Sequence, residues 1–263
     1  FTANINTPVN IPGFAGAKTI ALGKSHTCAI MLDNSVRCTG ANGSGQLGIA
    51  GSSRTTPVNI PEFNGAKAIS LGGFHTCAIM ANDTVKCTGL NASGQLGTGD
   101  NLNTNIPVTV PGFDGAKKIT TGDLNTCAIM ANDTVKCTGY NADGQLGNEN
   151  RISQSAPVPA PGFGQVKSIS AGDDHTCAIL LNNSVMCVGS NRFGQFGNGS
   201  GSNSLTPVPI LGFNGVKVIT SGSTHTCAIM GDDSIKCTGR NNYGQFGDGT
   251  TNNSNVPVTS SGF

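Results

Sequence analysis

The sequence has no tryptophan, only two tyrosines, and only two glutamates among its fourteen acidic residues. Charged residues make up 11% of the chain, and fifteen Lys/Arg against fourteen Asp/Glu leave a net charge of +1. So neutral a chain has no electrostatic footprint for nucleic acid or for an anionic membrane surface. No apolar run approaches the ~18 residues of a spanning helix, so membrane insertion through a helix is not expected. Phe1 opens the chain without a basic n-region, so any secretion signal is expected to be missing or already removed. Glu62 and Glu149 stand alone, and no Ser/His/Asp or paired-carboxylate grouping appears. That pattern predicts a protein that is not an enzyme. What is abundant is glycine, 38 residues, and cysteine, ten.

The whole chain, residues 1–263, is one repeat domain of period 49 or 50. His26-Thr-Cys-Ala-Ile30 recurs at His75, His175 and His225, with Asn125 in place of the His in the middle copy. Gly-Gln-Leu/Phe-Gly begins at Gly45, Gly94, Gly144, Gly194 and Gly244. A Pro-Val step begins at Pro8, Pro57, Pro107, Pro157, Pro207 and Pro257. The copies run over roughly 15–63, 64–113, 114–163, 164–213 and 214–263, with 1–14 as an extra outer-strand segment.

One copy reads as four short strands. Ala66–Leu71 alternates, as does Thr76–Met80, and a turn through Ala81–Asp83 leads to Thr84–Thr88. A glycine-rich loop, Gly89 to Gly99, precedes a fourth strand at the Pro-Val-Asn-Ile counterparts, where proline suits an edge. The fold class is all-β, and blade-sized units of this kind bury two apolar faces by stacking radially into a β-propeller. Gly72-x-x-His75-Thr-x-Ala-Ile, then Asn-Asp-x-Val85, then Gly89-x-Asn-x-x-Gly-Gln-Leu-Gly97 together resemble the regulator of chromosome condensation (RCC1) repeat, in a secreted, bacterial-type variant with cysteine pairs. The resemblance covers all five copies and implies a propeller, commonly seven-bladed, whose loop face binds proteins. One position departs from the family. Where an aromatic residue usually precedes the glycine of the third strand, this chain has Thr39, Thr88, Thr138, Val188 and Thr238.

The ten cysteines are spaced in pairs ten residues apart: Cys28 with Cys38, Cys77 with Cys87, Cys127 with Cys137, Cys177 with Cys187, and Cys227 with Cys237. A three-residue hairpin loop centred on Asn82 puts Cys77 opposite Cys87 and Ile79 opposite Val85 on one face, within reach of a disulfide. One disulfide per blade is therefore predicted, bracing blades that lack tryptophan. Metal is not, because one Cys pair and a His per blade do not make a compact four-ligand set; no cofactor is implied. Five regular pairs point to an oxidising location: secreted, periplasmic or cell-surface. That argues against nuclear nucleotide exchange, and the neutral charge argues against chromatin.

Six Pro-Val segments against five copies of the other strands leave ring closure open. The chain is either a segment of a longer array or a small ring with a surplus terminal strand, and self-association through the terminal strands fits as well. Strand alternation puts the Gly-x-x-His turn and the Asn-x-x-Gly-Gln loop on one face, and there the copies differ most. Phe74, Leu124, Tyr140, Arg192, Phe193, Arg240 and Tyr243, with Asp173 and Asp174 as polar contacts, are the candidate ligand-binding residues. The expected function is an extracytoplasmic recognition or adhesion module for a protein or cell-surface ligand. A lectin-like propeller that binds glycans, and a structural spacer or oligomerisation unit, are the alternatives.

Overall fold

The computed structural model describes residues 9–261. Five four-stranded antiparallel sheets occupy 17–59, 66–109, 118–159, 166–209 and 218–259, each with its strands paired in chain order. In blade two these are Ala66–Leu71, His75–Met80, Val85–Gly89 and Thr104–Thr109. The first strands of successive blades touch one another, so they line the axis and the fourth strands form the rim.

The central hairpin has the predicted register. Cys77 faces Cys87 and Ile79 faces Val85. The Met80 N–H bonds the Thr84 carbonyl at 2.8 Å, and the Asp83 N–H bonds the Met80 carbonyl at 3.0 Å. Asp83 closes the loop at φ 64°, and Asn34, Asp133, Asn183 and Asp233 do the same in the other blades. Asn and Asp are among the few residues that enter this region at low cost. The same register recurs in every blade, and all five predicted disulfides are formed. Cys28 is bonded to Cys38, Cys77 to Cys87, Cys127 to Cys137, Cys177 to Cys187, and Cys227 to Cys237, with Cα atoms 4.1–4.2 Å apart.

The rim strand starts earlier than the Pro-Val motif suggests. It spans Arg54–Asn59 in blade one, and Ile60 leaves it to enter the core. In blade two the register shifts between Cys87 and Gly89, and Pro107 lies on the strand opposite this irregularity, where a missing N–H breaks no ladder bond. Thr88 occupies the family's aromatic position, and its hydroxyl lies 3.0 Å from the Gly45 carbonyl and 2.9 Å from that of Thr104. A polar tie between blades thus stands where a ring is expected. Of the extra outer segment expected over 1–14, residues 1–8 lie outside the described residues. Residues 9–14 form no strand, and Phe14 packs beneath Ala29 and Met31.

The core lies between blades. One face of blade one, with Cys28, Ile30, Val36, Cys38, Leu47, Ile60 and Phe63, packs on Ile69, Leu71, Ala78 and Met80 of blade two, and the same seam recurs three more times. In the seam between blades three and four, Cys127 and Cys137 pack beside Leu146 and Phe163. At the two ends the pattern stops. Ile20 and Leu22 of blade one are 54% and 70% exposed, whereas their blade-two equivalents Ile69 and Leu71 are 9% and 6%. On blade five Ile229 is exposed where Ile179 of blade four is buried, although Cys237 stays buried there. Burying such side chains contributes roughly 1.5–3 kcal/mol each, so the seams hold the five blades together as one arc.

Candidate functional site

Three of the four seams are registered by a polar relay. His75 Nε2 lies 2.9 Å from Thr126 Oγ1 of the next blade, and that hydroxyl donates to the Gln95 carbonyl at 2.8 Å. The hydroxyl proton is spent on the carbonyl, so the imidazole must donate Nε2–H. His26 with Thr76 and His175 with Thr226 repeat the contact at 2.9 Å. The histidines thus join blades. Burial is the main cause that depresses their pKa values, to about 4 for His26, about 3 for His75 and about 4 for His175. Gly72 makes the approach possible, because a Cβ there would collide with the His75 ring and with the Gly122 carbonyl.

The loops above the seams are held by their own side chains. In blade two Asn91 Oδ1 accepts the Leu96 N–H at 2.9 Å, and Asn91 Nδ2 donates to the Asp100 carbonyl at 3.0 Å. Gln95 Oε1 accepts the Ser93 N–H at 2.9 Å. These bonds explain the Asn-x-x-Gly-Gln spacing and leave the loop pre-ordered. The Leu90 N–H meets the Phe74 carbonyl at 2.9 Å, and Tyr140 meets Leu124 at 2.8 Å, so the two variable turns of a blade do share one face.

Two places on this face collect functional groups. The first is the mouth of the axis, a cavity of about 290 Å³ lined by the inner turns of all five blades. Lys24 reaches across it to Asp123 at 2.8 Å and to Asp173 at 3.4 Å, and Ser223 Oγ donates to Asp173 at 2.6 Å. Burial pulls against the Lys24 charge, but the hydrogen bond to Asp123 and the fields of Asp173 and Asp123 outweigh it and hold its pKa above the ordinary lysine value. Asp174 nearby is pushed up, first by burial and then by Asp143, Asp173 and Asp123, while Arg192 works in the opposite direction. The second place spans the loops of blades three, four and five. Arg192 Nη2 pairs with Asp143 at 2.9 Å, and the Arg240 guanidinium carbon lies 5.4 Å from the Phe193 ring centre and 5.6 Å from that of Tyr243.

The candidate residues therefore divide. Arg192, Phe193, Arg240 and Tyr243 cluster, with Tyr243 82% exposed. Asp173 and Asp174 belong to the axis side, while Phe74, exposed, and the half-buried Leu124 and Tyr140 lie on the turns of blades two and three. Lys24, Asp123, Asp143 and Ser223 were not among the candidates. Their signal was opposite charge at equivalent repeat positions, which converges only once the blades curve around an axis. Among the described residues no group of three or more His, Cys, Asp or Glu is arranged to hold a metal ion, and no helix is long and apolar enough to cross a membrane.

Solved structures with this fold include human WBSCR16, at TM-score 0.81 and 20% identity over 92% of this chain and 67% of that one. Yeast RCC1 (Prp20), solved bound to Kap60, matches at TM-score 0.82 and 21% identity over 96% and 66%. The CRINKLY ectodomain of the Arabidopsis thaliana receptor kinase ACR4 matches at 0.53 and 21% over 85% and 65%. The chain thus spans about two thirds of the length of each of these structures. No curated protein matches the chain. Two models of the regulator of chromosome condensation (RCC1) repeat match it, one at 17–46, 66–95, 116–145, 166–195 and 216–245, the other at 33–79, 85–129, 135–179 and 182–229. With more than half of its length matched, five interlocked blades and a His–Thr relay at three seams, the chain belongs to the RCC1 repeat family.

Proposed function

We propose that this arc is a protein-recognition module of an extracytoplasmic protein, acting through the face that carries the Gly-x-x-His turns and the Asn-x-x-Gly-Gln loops. The carrying observation is the contrast between the two faces. The opposite face repeats Asn82-Asp83 as Asn132-Asp133, whereas this one presents Phe74, Phe193 and Tyr243 to solvent among arginines and aspartates on loops held by their own hydrogen bonds. Pre-ordered loops lower the entropy cost of association, and exposed aromatic and arginine side chains are the residues that carry binding energy at interfaces. Five disulfides support the oxidising location. The ectodomain with this fold supports the same location, and the Kap60 complex of yeast RCC1 supports protein binding by such a scaffold. Photo-crosslinking side chains placed at Phe74, Tyr140 and Tyr243, and as controls at Asn82 and Asn132, test the reading in the secreted fraction of producing cells. Discrete protein adducts are expected from the first three positions; adducts from the control positions alone would reverse the assignment of the face.

A further inference from the structure

Four of the five arginines have at least one donor engaged. Arg37 donates to the Gly13 carbonyl at 2.9 Å, Arg54 to that of Ser52 at 2.7 Å, Arg151 to that of Ala142 at 2.7 Å, and Arg192 to the Asp143 carboxylate at 2.9 Å. Among the described residues the Arg240 side chain makes no hydrogen bond and no ion pair, and its Nε is buried without a partner. What it does have is Phe193 from the preceding blade and Tyr243 from its own. Contact with an aromatic ring stabilises a cation but satisfies none of the donors in the guanidinium plane. Those donors match a planar oxyanion bidentately, and a carboxylate is the group that the neighbouring Arg192 already binds. At the axis Lys24 is likewise matched by Asp123 and Asp173, so among the described residues Arg240 is the arginine whose side chain has neither a hydrogen bond nor an ion pair.

We propose that Arg240, held against Phe193 and Tyr243, is a carboxylate-binding point for an acidic segment of a partner polypeptide. The inference rests on the reading of this face as a protein-recognition surface and adds the chemistry of the partner. The exposed Tyr243 ring offers a surface for an apolar side chain next to the bound acid. A hydroxyl-rich ligand fits less well, because the adjacent polar groups are already engaged. Asn253 Oδ1 accepts the Asn241 N–H, Ser254 Oγ donates to the Val256 carbonyl, and Asn255 Nδ2 donates to the Gly199 carbonyl.

The test uses the intact 15N-labelled chain with octaglutamate, octaglutamine and tetragalacturonate as probes. Octaglutamate is expected to shift the Arg240 Nε–Hε resonance and the Phe193 and Tyr243 amides saturably, and octaglutamine to leave them unmoved. Arg240→Gln should weaken octaglutamate binding tenfold or more, and Arg240→Lys, which keeps the charge but loses the planar fork, several-fold. Arg151→Gln should leave it within twofold. Thermal melts check that the variants fold; if R240Q does not, R240K carries the comparison. Equal weakening by R151Q, an unmoved Arg240 resonance, or saturation by tetragalacturonate with octaglutamate silent each overturns the proposal. Crosslinked adducts at Phe74 that persist while octaglutamate fails would remove this inference and leave the broader reading standing. Loss of both would remove both.

Discussion

His75 of blade two donates its Nε2–H to Thr126 Oγ1 of blade three across 2.9 Å, and the ring is fully buried. Protonation would put a second donor and a charge into a seam that accepts neither. Burial depresses the folded pKa to about 3, and that of His26 and His175 to about 4, against an ordinary value near 6.5. Below pH 6.5 the unfolded chain therefore binds protons that the folded one refuses, so this stability is complete above about pH 7 and is lost as pH falls towards 4. Each imidazole removes about 2 kcal/mol at pH 5. Calorimetry should show Tm falling steeply between pH 6.5 and 4.5, with a shallower slope in His75→Gln. A Tm flat over that interval would refute the assignment.

The middle blade lacks this link. Asn125 stands at the histidine position, completely buried, with neither Oδ1 nor Nδ2 bonded. The shorter side chain stops short of Thr176, whose hydroxyl still donates to the Gln145 carbonyl at 2.8 Å. A buried polar atom without a partner costs about 1–3 kcal/mol. Asn125→His should recover about 1–2 kcal/mol and raise Tm by a few degrees at pH 7.5, with the gain disappearing at pH 5 as the new imidazole titrates. A lowered Tm at pH 7.5 would mean that the gap already holds a well-bonded water, or that the blade cannot admit a ring.

The contrast between Cys77–Cys87 and His75–Thr126 marks what the sequence could disclose. The cysteine register needs only a strand period of two and a three-residue loop, both local. For that reason the pairing of Cys137 with Cys127 and of Cys237 with Cys227 was as legible as that of the second copy. Thr126 is 51 residues from His75, and nothing within one copy says that its hydroxyl rather than a backbone group receives the imidazole. The candidate face was legible in the same local way, because strands must alternate. Lys24 was not, since only the curvature of the arc brings it within 2.8 Å of Asp123 and 3.4 Å of Asp173, two and three blades away.

The disulfides carry a prediction that is independent of any ligand. All ten cysteines are paired, so the intact mass should fall short of the reduced sequence by ten hydrogens. Each closes a short loop and contributes roughly 2–3 kcal/mol by the chain-entropy account. Those of the first four blades also fill a seam core, as Cys177 and Cys187 do beside Phe196 and Phe213. Cys177→Ala with Cys187→Ala should therefore cost at least ~3 kcal/mol, more than loop entropy alone, because truncating buried side chains leaves a cavity. Full reduction should unfold the arc at 37 °C. A reduced sample that keeps its near-ultraviolet circular dichroism at that temperature would show that the seams suffice without the bonds.

Asp174 reports on the charge balance of the candidate face. Its carboxyl is raised by burial first and by Asp143, Asp173 and Asp123 after it, and Arg192 lowers it. Arg192 also holds the Asp143 carboxylate at 2.9 Å. In a carboxyl-carbon NMR titration Asp174 should titrate above the ordinary aspartate range. Asp143→Asn should bring it down by removing a neighbouring negative charge, and Arg192→Gln should drive it further up. The folded pKa lies above the unfolded one, so this group favours folding at low pH and removes stability as pH rises through the ordinary aspartate value towards the raised one. A downward move in R192Q would mean that Arg192 acts on Asp174 through desolvation rather than through its charge, because withdrawing the side chain would then rehydrate the carboxylate.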